Sequence, residues 1–230
     1  MTRNCFIVGL TGIVLQWGFA QSVLAASPQG IYVGASAGYV WVEDATYDLV
    51  GSVVVPHPAD FDGGPAWSLQ GGYDFGGPRL ELELTHRNND VDGFGREGGP
   101  GKGDISADSA MVNLLYDFDV NPRYTPYVGV GLGWTSVEAN GIRKDIVVPN
   151  RTGLVDGDDT VFSYQLIAGI TYQTSRQLGV TLAYSYLNAG EPEFDYGVSC
   201  TPAGTACVYS STLKEDYTAQ TLSLGLRWKF

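Results

Sequence analysis

The sequence lacks long apolar runs and has few basic residues, and each shortage excludes a class of protein. Across 230 residues, no window reaches the roughly 18 consecutive apolar residues of a membrane-spanning helix. Lys and Arg number 13 against 25 Asp and Glu, which gives a formal net charge of −12. This balance argues against a nucleic-acid partner, because phosphate binding requires clustered basic side chains. If the chain crosses a membrane, it must do so as a closed barrel.

Histidine is also scarce, which limits the chemistry that the chain can perform. His57 and His86 are the two His residues of the sequence, whereas membrane hydrolases and acyltransferases usually need a His positioned by a carboxylate or a Ser. His86 is followed by Arg-Asn-Asn rather than by the His-x-Ser-Asn arrangement that a lipid A deacylase of this size would suggest. We predict no catalytic residue and no cofactor, and a lipid-modifying enzyme built on His86 is the least favoured alternative.

The N-terminus has the pattern of a leader sequence. Arg3 supplies a positive start, the stretch 5–20 is mostly apolar, and Val23, Leu24 and Ala25 place short side chains before a cleavage site. This pattern predicts a secretory signal peptide over residues 1–25 and a mature domain over residues 26–230. A cut after Ala26 and a buried N-terminal helix are the alternatives.

Only two cysteines remain once the leader is removed. Cys200 and Cys207 flank a segment in which Pro202 and Gly204 favour a reversal of the chain. An exported protein meets an oxidising compartment, so we predict a local disulfide bond between them. Two free thiols are the alternative.

Beyond the leader, apolar and small or polar residues alternate with a period of two in eight segments. The sharpest is 79–87, where Leu80, Leu82 and Leu84 alternate with charged residues and Thr. This pattern predicts an all-β fold, an eight-stranded antiparallel up-and-down transmembrane β-barrel. The eight segments fall at about 31–41, 67–75, 79–87, 109–118, 127–135, 162–172, 178–186 and 221–230.

The connections between the segments alternate between short and long. Bacterial outer-membrane barrels have short turns on the periplasmic side and long loops outside. An even number of strands also lets the first and last strands pair, so that no edge is exposed. The short connections are 76–78, 119–123 and 173–177, and the four long ones, predicted as extracellular loops, are 43–64, 88–104, 138–159 and 188–216.

The long connections carry most of the negative charge. Residues 43–64 hold five acidic residues and no Lys or Arg, and acidic residues also cluster at 156–159 and 191–195. Divalent cations that bridge these carboxylates to lipopolysaccharide phosphates are an alternative to simple solvation, but no EF-hand spacing is present. We therefore predict no metal site.

The face opposite the apolar one is either small or charged, which distinguishes a membrane barrel from a soluble one. Gly129, Gly131 and Gly133 suit a narrow lumen, because eight strands leave room only for a filled interior. Charged side chains in that lumen must pair to offset their desolvation. We predict a lumen network that serves either as a structural plug or as a gate for water and small ions: Asp74, Arg79, Glu81, Glu83, Arg87, Asp117, Arg227 and Lys229.

Aromatic residues on the apolar face cluster at the strand ends, while Leu, Val, Ile and Ala fill the middle. Two aromatic belts separated by an aliphatic band are typical of membrane interfaces; ordinary core packing is the alternative. Near the long connections the belt comprises Tyr39, Trp41, Trp67, Trp134, Tyr164 and Tyr184, and near the short ones Tyr73, Phe75, Tyr116, Phe118 and Trp228.

Four segments carry a resemblance to a known family: Ile31–Tyr39, Met111–Phe118, Thr125–Trp134 and Leu222–Phe230. Over residues 28–230 the chain resembles the small outer-membrane β-barrels of Gram-negative bacteria, which include OmpA/OmpX-like and porin or opacity-type surface proteins. The resemblance implies the barrel fold, a place in the outer membrane among its lipids and lipopolysaccharide, a monomer, and a terminal Phe230 read by the outer-membrane assembly machinery.

The same resemblance leaves the molecular role open, because such barrels include adhesins, complement-resistance factors, small pores and purely structural proteins. We expect a surface protein with a structural or interaction role, such as adhesion or contact with a host, and an extracellular ligand that the sequence does not identify. A narrow channel for small solutes or ions is the alternative.

Overall fold

The structure is a computed structural model, and the predicted leader, His57 and Cys207 lie outside the residues that it describes. Within the described part of the chain, no helix has the length and hydrophobicity needed to cross a bilayer. The described residues are 29–42, 45–46, 58–61, 63–94, 99–100, 102–146, 151–190, 192–200, 209–214 and 217–230.

These residues form β-strands joined by turns. The strands are β1 (Gly30–Val42), β2 (Ala45–Thr46), β3 (Pro58–Phe61), β4 (Gly64–Asp74), β5 (Pro78–Phe94), β6 (Gly99–Pro100), β7 (Lys102–Asp117), β8 (Tyr124–Ile146), β9 (Arg151–Gln173), β10 (Leu178–Ala189), β11 (Glu193–Cys200), β12 (Tyr209–Lys214) and β13 (Tyr217–Lys229).

Eight of the strands close into a ring in which every neighbouring pair is antiparallel. The order around the ring is β1, β4, β5, β7, β8, β9, β10, β13 and back to β1. At the seam between the first and last strands, Tyr32 lies opposite Lys229 and Tyr39 opposite Leu222. The prediction of a closed eight-stranded antiparallel barrel is confirmed.

The barrel carries its leucines outside and its charges inside. On β5, Leu80, Leu82 and Leu84 are 49 %, 54 % and 48 % exposed, whereas Arg79 and Glu81 are 2 % and 8 % exposed. Successive side chains of a strand point to opposite faces. The alternation in the sequence therefore places the apolar face outward, the reverse of a soluble barrel.

The short connections are tight turns at one end of the barrel, here called the turn end. Between β4 and β5, Gly76 and Gly77 have φ angles of 89° and 134°, a region that favours glycine. The Gly76 N–H donates to Asp74 Oδ1 at 2.8 Å, which fixes this turn from within. Both chain ends of the barrel domain also lie here, where the Phe230 N–H donates to the Ile31 carbonyl at 3.0 Å.

At the other end, the loop end, the strands continue into the connections that the sequence predicts as long loops, so the predicted strand bounds are too short there. β8 and β9 extend over most of the connection predicted at 138–159, and β5 and β7 over most of the one at 88–104. Within the last connection, β11 pairs with β9 and β12 with β11. Register shifts near Lys102 and after Ala139 interrupt the period-two pattern. Such bulges conceal the continuing strands from a simple reading of alternation.

The hairpin formed by β11 and β12 bears on the predicted disulfide bond. Its register pairs Glu193 with Lys214 and Val198 with Tyr209, and β11 ends at Cys200. The bond stays a prediction, because Cys207 is outside the described residues.

The inner glycines provide the first test of the fold. A Cβ at Gly131 would overlap the Asn113 Oδ1 atom and lie 2.8 Å from Gln165 Cγ, whereas one at Gly71 would meet nothing within 4 Å. We expect Gly131→Ala to lower the free energy of unfolding by about 1–3 kcal/mol through overpacking. Gly71→Ala, the matched control on the outer face, should change it by less than about 0.5 kcal/mol. Urea unfolding in lipid vesicles, followed by tryptophan fluorescence, measures both. Equal values would contradict a filled lumen.

Candidate functional site

At the turn end of the interior, one carboxylate lies between two guanidinium groups. Arg79 Nε is 3.0 Å from Asp117 Oδ1, and Arg227 Nη1 is 3.8 Å from Asp117 Oδ2. The Arg79 guanidinium also lies over two aromatic rings, 4.7 Å from the centroid of Tyr127 and 5.5 Å from that of Tyr32. Arg79 and Asp117 are almost fully buried, so the ion pair and the ring faces replace water as their surroundings.

A second ion pair lies closer to the turns. Lys229 Nζ is 2.7 Å from Asp74 Oδ2, and both residues are buried. Because the other oxygen of Asp74 accepts the Gly76 N–H, this carboxylate ties the last strand to the first tight turn.

Two carboxylates in the middle of the interior share one amide. Asn113 Nδ2 donates to Glu81 Oε1 at 3.1 Å and to Glu83 Oε2 at 2.9 Å. Their remaining oxygens accept from hydroxyl groups, Glu81 from Tyr32 at 2.9 Å and Glu83 from Thr85 at 2.7 Å. Neither carboxylate has a basic side chain within 4 Å in the described part of the chain. Hydrogen bonds from neutral groups therefore hold them.

Arg87 lies apart, nearer the loop end, and is 1 % exposed. Its Nη1 donates to Ser109 Oγ at 2.8 Å, which begins a chain of hydroxyl groups through Thr135 (3.0 Å) to Ser163 (2.8 Å). This chain crosses β5, β7, β8 and β9.

The structure therefore places all eight residues of the predicted lumen network on the inner face, but in separate groups. Asp117 joins Arg79 and Arg227, Asp74 joins Lys229, and Glu81 and Glu83 meet through Asn113. The sequence reasoning missed the neutral members of these groups because it followed charge alone. Their inward parity was the available signal: Tyr32, Thr85, Ser109, Asn113, Thr135, Ser163 and Gln165.

The open space beside the two glutamates is small. A cavity of about 70 Å³ is lined by Glu81 and Glu83 together with Ser36, Ser68 and Gln70. Small-molecule sites commonly have about 300–1,000 Å³. This cavity is too small for such a ligand.

Near the loop end, the apolar side chains change from the outer to the inner face. On β8, Leu132 and Trp134 are 57 % and 60 % exposed on the outside, whereas Val137 and Ala139 are each 1 % exposed on the inside. On β10, Leu187 and Ala189 are likewise buried inside. The cluster that they form, the upper core, comprises Val40, Ala66, Ala107, Met111, Val137, Ala139, Leu187, Ala189, Tyr217 and Ala219.

At the same height, the outer face changes from apolar to polar. Beyond Trp134, the outward positions of β7, β8 and β9 include Asp108, Glu138 and Asp158, all exposed. We call this part of the sheet the extension. It comprises residues 87–94 of β5, 102–109 of β7, 135–146 of β8 and 151–161 of β9, together with β11 and β12. Where its side chains are described, Val137 and Ala139 are buried inside while Asp108, Glu138 and Asp158 are exposed outside, which is the pattern of a water-soluble protein.

The predicted aromatic belts lie on the outer face. All eleven residues are between 38 % and 60 % exposed. Several form ring pairs along a strand, such as Tyr39 with Trp41 and Tyr116 with Phe118, each at 5.1 Å between centroids. The predicted role of the belts, contact with the two membrane interfaces, stays a prediction.

Comparison with known proteins gives this inside-out barrel its family. Residues 11–230 match the family described as the outer membrane protein beta-barrel domain. The chain belongs to that family. Outer membrane protein PagN of Salmonella typhimurium is 26 % identical over 215 residues, which cover 82 % of this chain and 85 % of PagN.

Solved structures of outer-membrane barrels share the fold. OprG of Pseudomonas aeruginosa has a TM-score of 0.60 at 16 % identity and covers 87 % of this chain and 97 % of its own. Neisserial surface protein A has a TM-score of 0.54 at 20 % identity and covers 88 % of this chain and 99 % of its own.

These findings place the chain in the outer membrane of a Gram-negative bacterium. In this family the short turns face the periplasm and the long connections face outward. An outer-membrane location agrees with the aliphatic band on the outer face of this barrel.

A catalytic His would need a carboxylate to orient it and a Ser or Thr hydroxyl as nucleophile, and His86 has the carboxylate. Its Nδ1 is 2.7 Å from Asp108 Oδ1, and its ring is 5.6 Å from that of Trp67. No hydrogen bond joins His86 to a Ser or Thr hydroxyl among the residues described. Nor do those residues include a group of three His, Cys, Asp or Glu side chains suited to a metal ion.

The shared carboxylate of Asp117 gives the second test. We expect Asp117→Asn to lower the free energy of unfolding by roughly 3 kcal/mol, because it leaves two buried guanidinium groups without an anionic partner. Asp158→Asn, the same change at an exposed position, is the control and should have little effect. Urea midpoints in lipid vesicles compare the two. A wild-type midpoint for Asp117→Asn would mean that the ion pairs contribute nothing to stability.

The third test concerns the change of the apolar side chains of β8 from the outer face to the inner face between Trp134 and Val137. Val137→Asp would put an unpaired carboxylate into the upper core and should cost roughly 3 kcal/mol or more, whereas Ser136→Asp on the outer face should be tolerated. Heat-modifiable migration in gels and urea midpoints report folding and stability. Should Val137→Asp fail to fold, Val137→Thr is expected to fold with a lowered midpoint. If Asp is tolerated equally at positions 136 and 137, Val137 does not lie in a buried apolar core.

Proposed function

We propose that this outer-membrane barrel is a surface protein whose closed barrel anchors an extracellular sheet for contact with partners outside the cell. The observation that carries the proposal is that the apolar side chains of β8 lie outside up to Trp134 and inside from Val137 onward. Beyond Trp134 the sheet has a buried apolar core and exposed acidic residues on its outer face. An anchor alone would need only short loops at this end. A folded extension is what an interaction surface on a rigid scaffold requires.

The length of the extension supports this role. β8 continues from Trp134 to Ile146 and β9 begins at Arg151, well before Phe162. At about 3.3 Å per residue, this part of β8 covers roughly 40 Å along the strand. β11 and β12 widen the sheet on the β9 side. The extension therefore offers a sheet surface rather than isolated turns.

A narrow channel, the alternative expected from the sequence, has less support. A solute would have to pass the upper core, where Val137, Leu187 and Ala219 are at most 1 % exposed, and then the ion pairs of Asp117. Eight strands enclose only enough space for their own side chains. An enzyme built on His86 would still need a nucleophile beside the His86–Asp108 pair.

The experiment compares the chain with a variant that has a shortened extension. Replacing residues 140–156 by Asn-Gly joins β8 and β9 directly after the paired residues Ala139 and Gly157, and Asn-Gly suits a two-residue hairpin. Bacteria that display the intact chain should attach to cultured animal cells and to one another more than bacteria with the variant. Single-channel recordings should show no conductance steps for either protein.

The control is equal surface display of both proteins, checked by heat-modifiable migration and by antibody binding to an added tag. Equal attachment by both would refute the interaction role. Conductance steps from the intact chain would favour the channel.

A further inference from the structure

Arg87 differs from the other basic side chains of the barrel interior. Arg79 and Arg227 share Asp117, and Lys229 pairs with Asp74. Among the described residues, Arg87 has no carboxylate within 4 Å, and its Nε donates to no acceptor there. A buried guanidinium group is costly when no negative charge offsets its desolvation. The charge of Arg87 therefore calls for an anion.

The surroundings of Arg87 do not supply that anion. On both neighbouring strands the residue directly opposite is an alanine of the upper core, Ala66 on β4 and Ala107 on β7. Glu83 is four residues away on β5, roughly 13 Å along the strand, and neutral groups already hold it. Asp108 is exposed on the outer face. Arg87 is thus a buried charge in an apolar part of the interior.

A second donor without a partner lies in the same part of the interior. The hydroxyl group of Tyr217 is buried and makes no hydrogen bond within the described part of the chain. Tyr217 belongs to the upper core together with Ala66 and Ala107, the two neighbours of Arg87. The charge of Arg87 also interacts more strongly with Tyr217 than with Glu83. A water molecule would satisfy the hydroxyl group but would leave the positive charge uncompensated.

We propose that Arg87 and Tyr217 bind one small monovalent anion, chloride in natural surroundings, inside the loop end of the barrel. The Arg87 Nε–H and the Tyr217 O–H are the donors, and the anion supplies the missing acceptor and the missing charge. The site lies in the interior and is separate from the extracellular surface proposed above.

Burial and charge together select the class of anion. Arg87 is 1 % and Tyr217 is 7 % exposed, so neither donor is open to a bulky ligand. One negative charge balances one guanidinium group, whereas a divalent oxyanion would leave a buried charge in excess. A halide also has no hydrogen of its own that would need a further acceptor. Chloride meets all three conditions.

A bound anion would join strands that are not neighbours. Arg87 is on β5 and Tyr217 on β13, and β4 and β1 lie between them in the ring. The anion would tie the ring at its loop end, as the Asp74–Lys229 pair does at its turn end. A ligand that binds only the folded state shifts the folding equilibrium by mass action. The stability of the closed barrel should therefore depend on chloride.

The experiment measures the folding equilibrium constant of the barrel by urea titration in vesicles of uncharged phosphatidylcholine. Sodium gluconate is replaced stepwise by sodium chloride at constant ionic strength. Above the dissociation constant, each tenfold rise in chloride should raise the folding constant by about tenfold. Sodium sulfate at the same ionic strength should not raise it.

Arg87→Met removes the charge and keeps most of the length of the side chain. It should abolish the chloride dependence, and in gluconate it should be at least as stable as the wild type, because it removes an unpaired buried charge. Arg227→Met is the matched control, since it makes the same change at an interior arginine that has Asp117 nearby. It should keep the full chloride dependence.

Tyr217→Phe removes one donor and retains the ring that packs in the upper core. It should weaken the apparent chloride affinity by about tenfold or more, because a hydrogen bond to a charged group is lost. Crystals grown in sodium bromide should show an anomalous scattering peak between Arg87 Nε and the Tyr217 hydroxyl group. If Arg87→Met does not fold, Tyr217→Phe and the bromide crystals decide.

Equal folding constants of the wild type in chloride and in gluconate would overturn the proposal. So would a chloride dependence that persists in Arg87→Met, or an unchanged chloride affinity in Tyr217→Phe without a bromide peak at Arg87. Stabilisation by sulfate and not by chloride would also overturn it, since the ligand would then be a divalent oxyanion.

Discussion

The structure depends on one constraint: the solvent outside each strand decides which of its two faces must be apolar. Where lipid surrounds the barrel, Leu132 and Trp134 of β8 point outward and polar groups fill the interior. Where water surrounds it, Val137 and Ala139 point inward. The same strand serves both solvents because its apolar residues take the outward positions up to Trp134 and the inward positions from Val137 onward. The boundary between lipid and water along β8 therefore falls between Trp134 and Val137.

A polar interior in a narrow barrel has a mechanical result, because its hydrogen bonds join strands that are not neighbours. Tyr32 on β1 reaches Glu81 on β5, across β4. Lys229 on β13 reaches Asp74 on β4, across β1. Backbone ladders hold only adjacent strands together. The buried side-chain groups therefore add ties across the ring, and their desolvation is offset only while the ring stays closed.

The fold and the inner face could be predicted because period-two alternation is unambiguous where one face is purely apolar, as in Leu80, Leu82 and Leu84 of β5. The extension could not be predicted in the same way. Its apolar residues Val137 and Ala139 are at odd positions, whereas Leu132 and Trp134 are at even ones, so the period-two alternation stops there. A register shift after Ala139 interrupts the pattern again. The grouping of the charges was equally hidden. Which acid meets which base depends on barrel register and curvature, which place Asp117 between Arg79 and Arg227.

The seam between β1 and β13 has a consequence for how the protein is made. Tyr32 pairs with Lys229, so the first and last strands of the ring must meet before the ring can close. Until the last residues have been translocated, the chain has two unsatisfied edges, which are prone to pair with other chains. Closure is therefore a single late event that joins residues far apart in sequence, a slow kind of contact to form. The polypeptide has to be kept from aggregating throughout its passage across the periplasm.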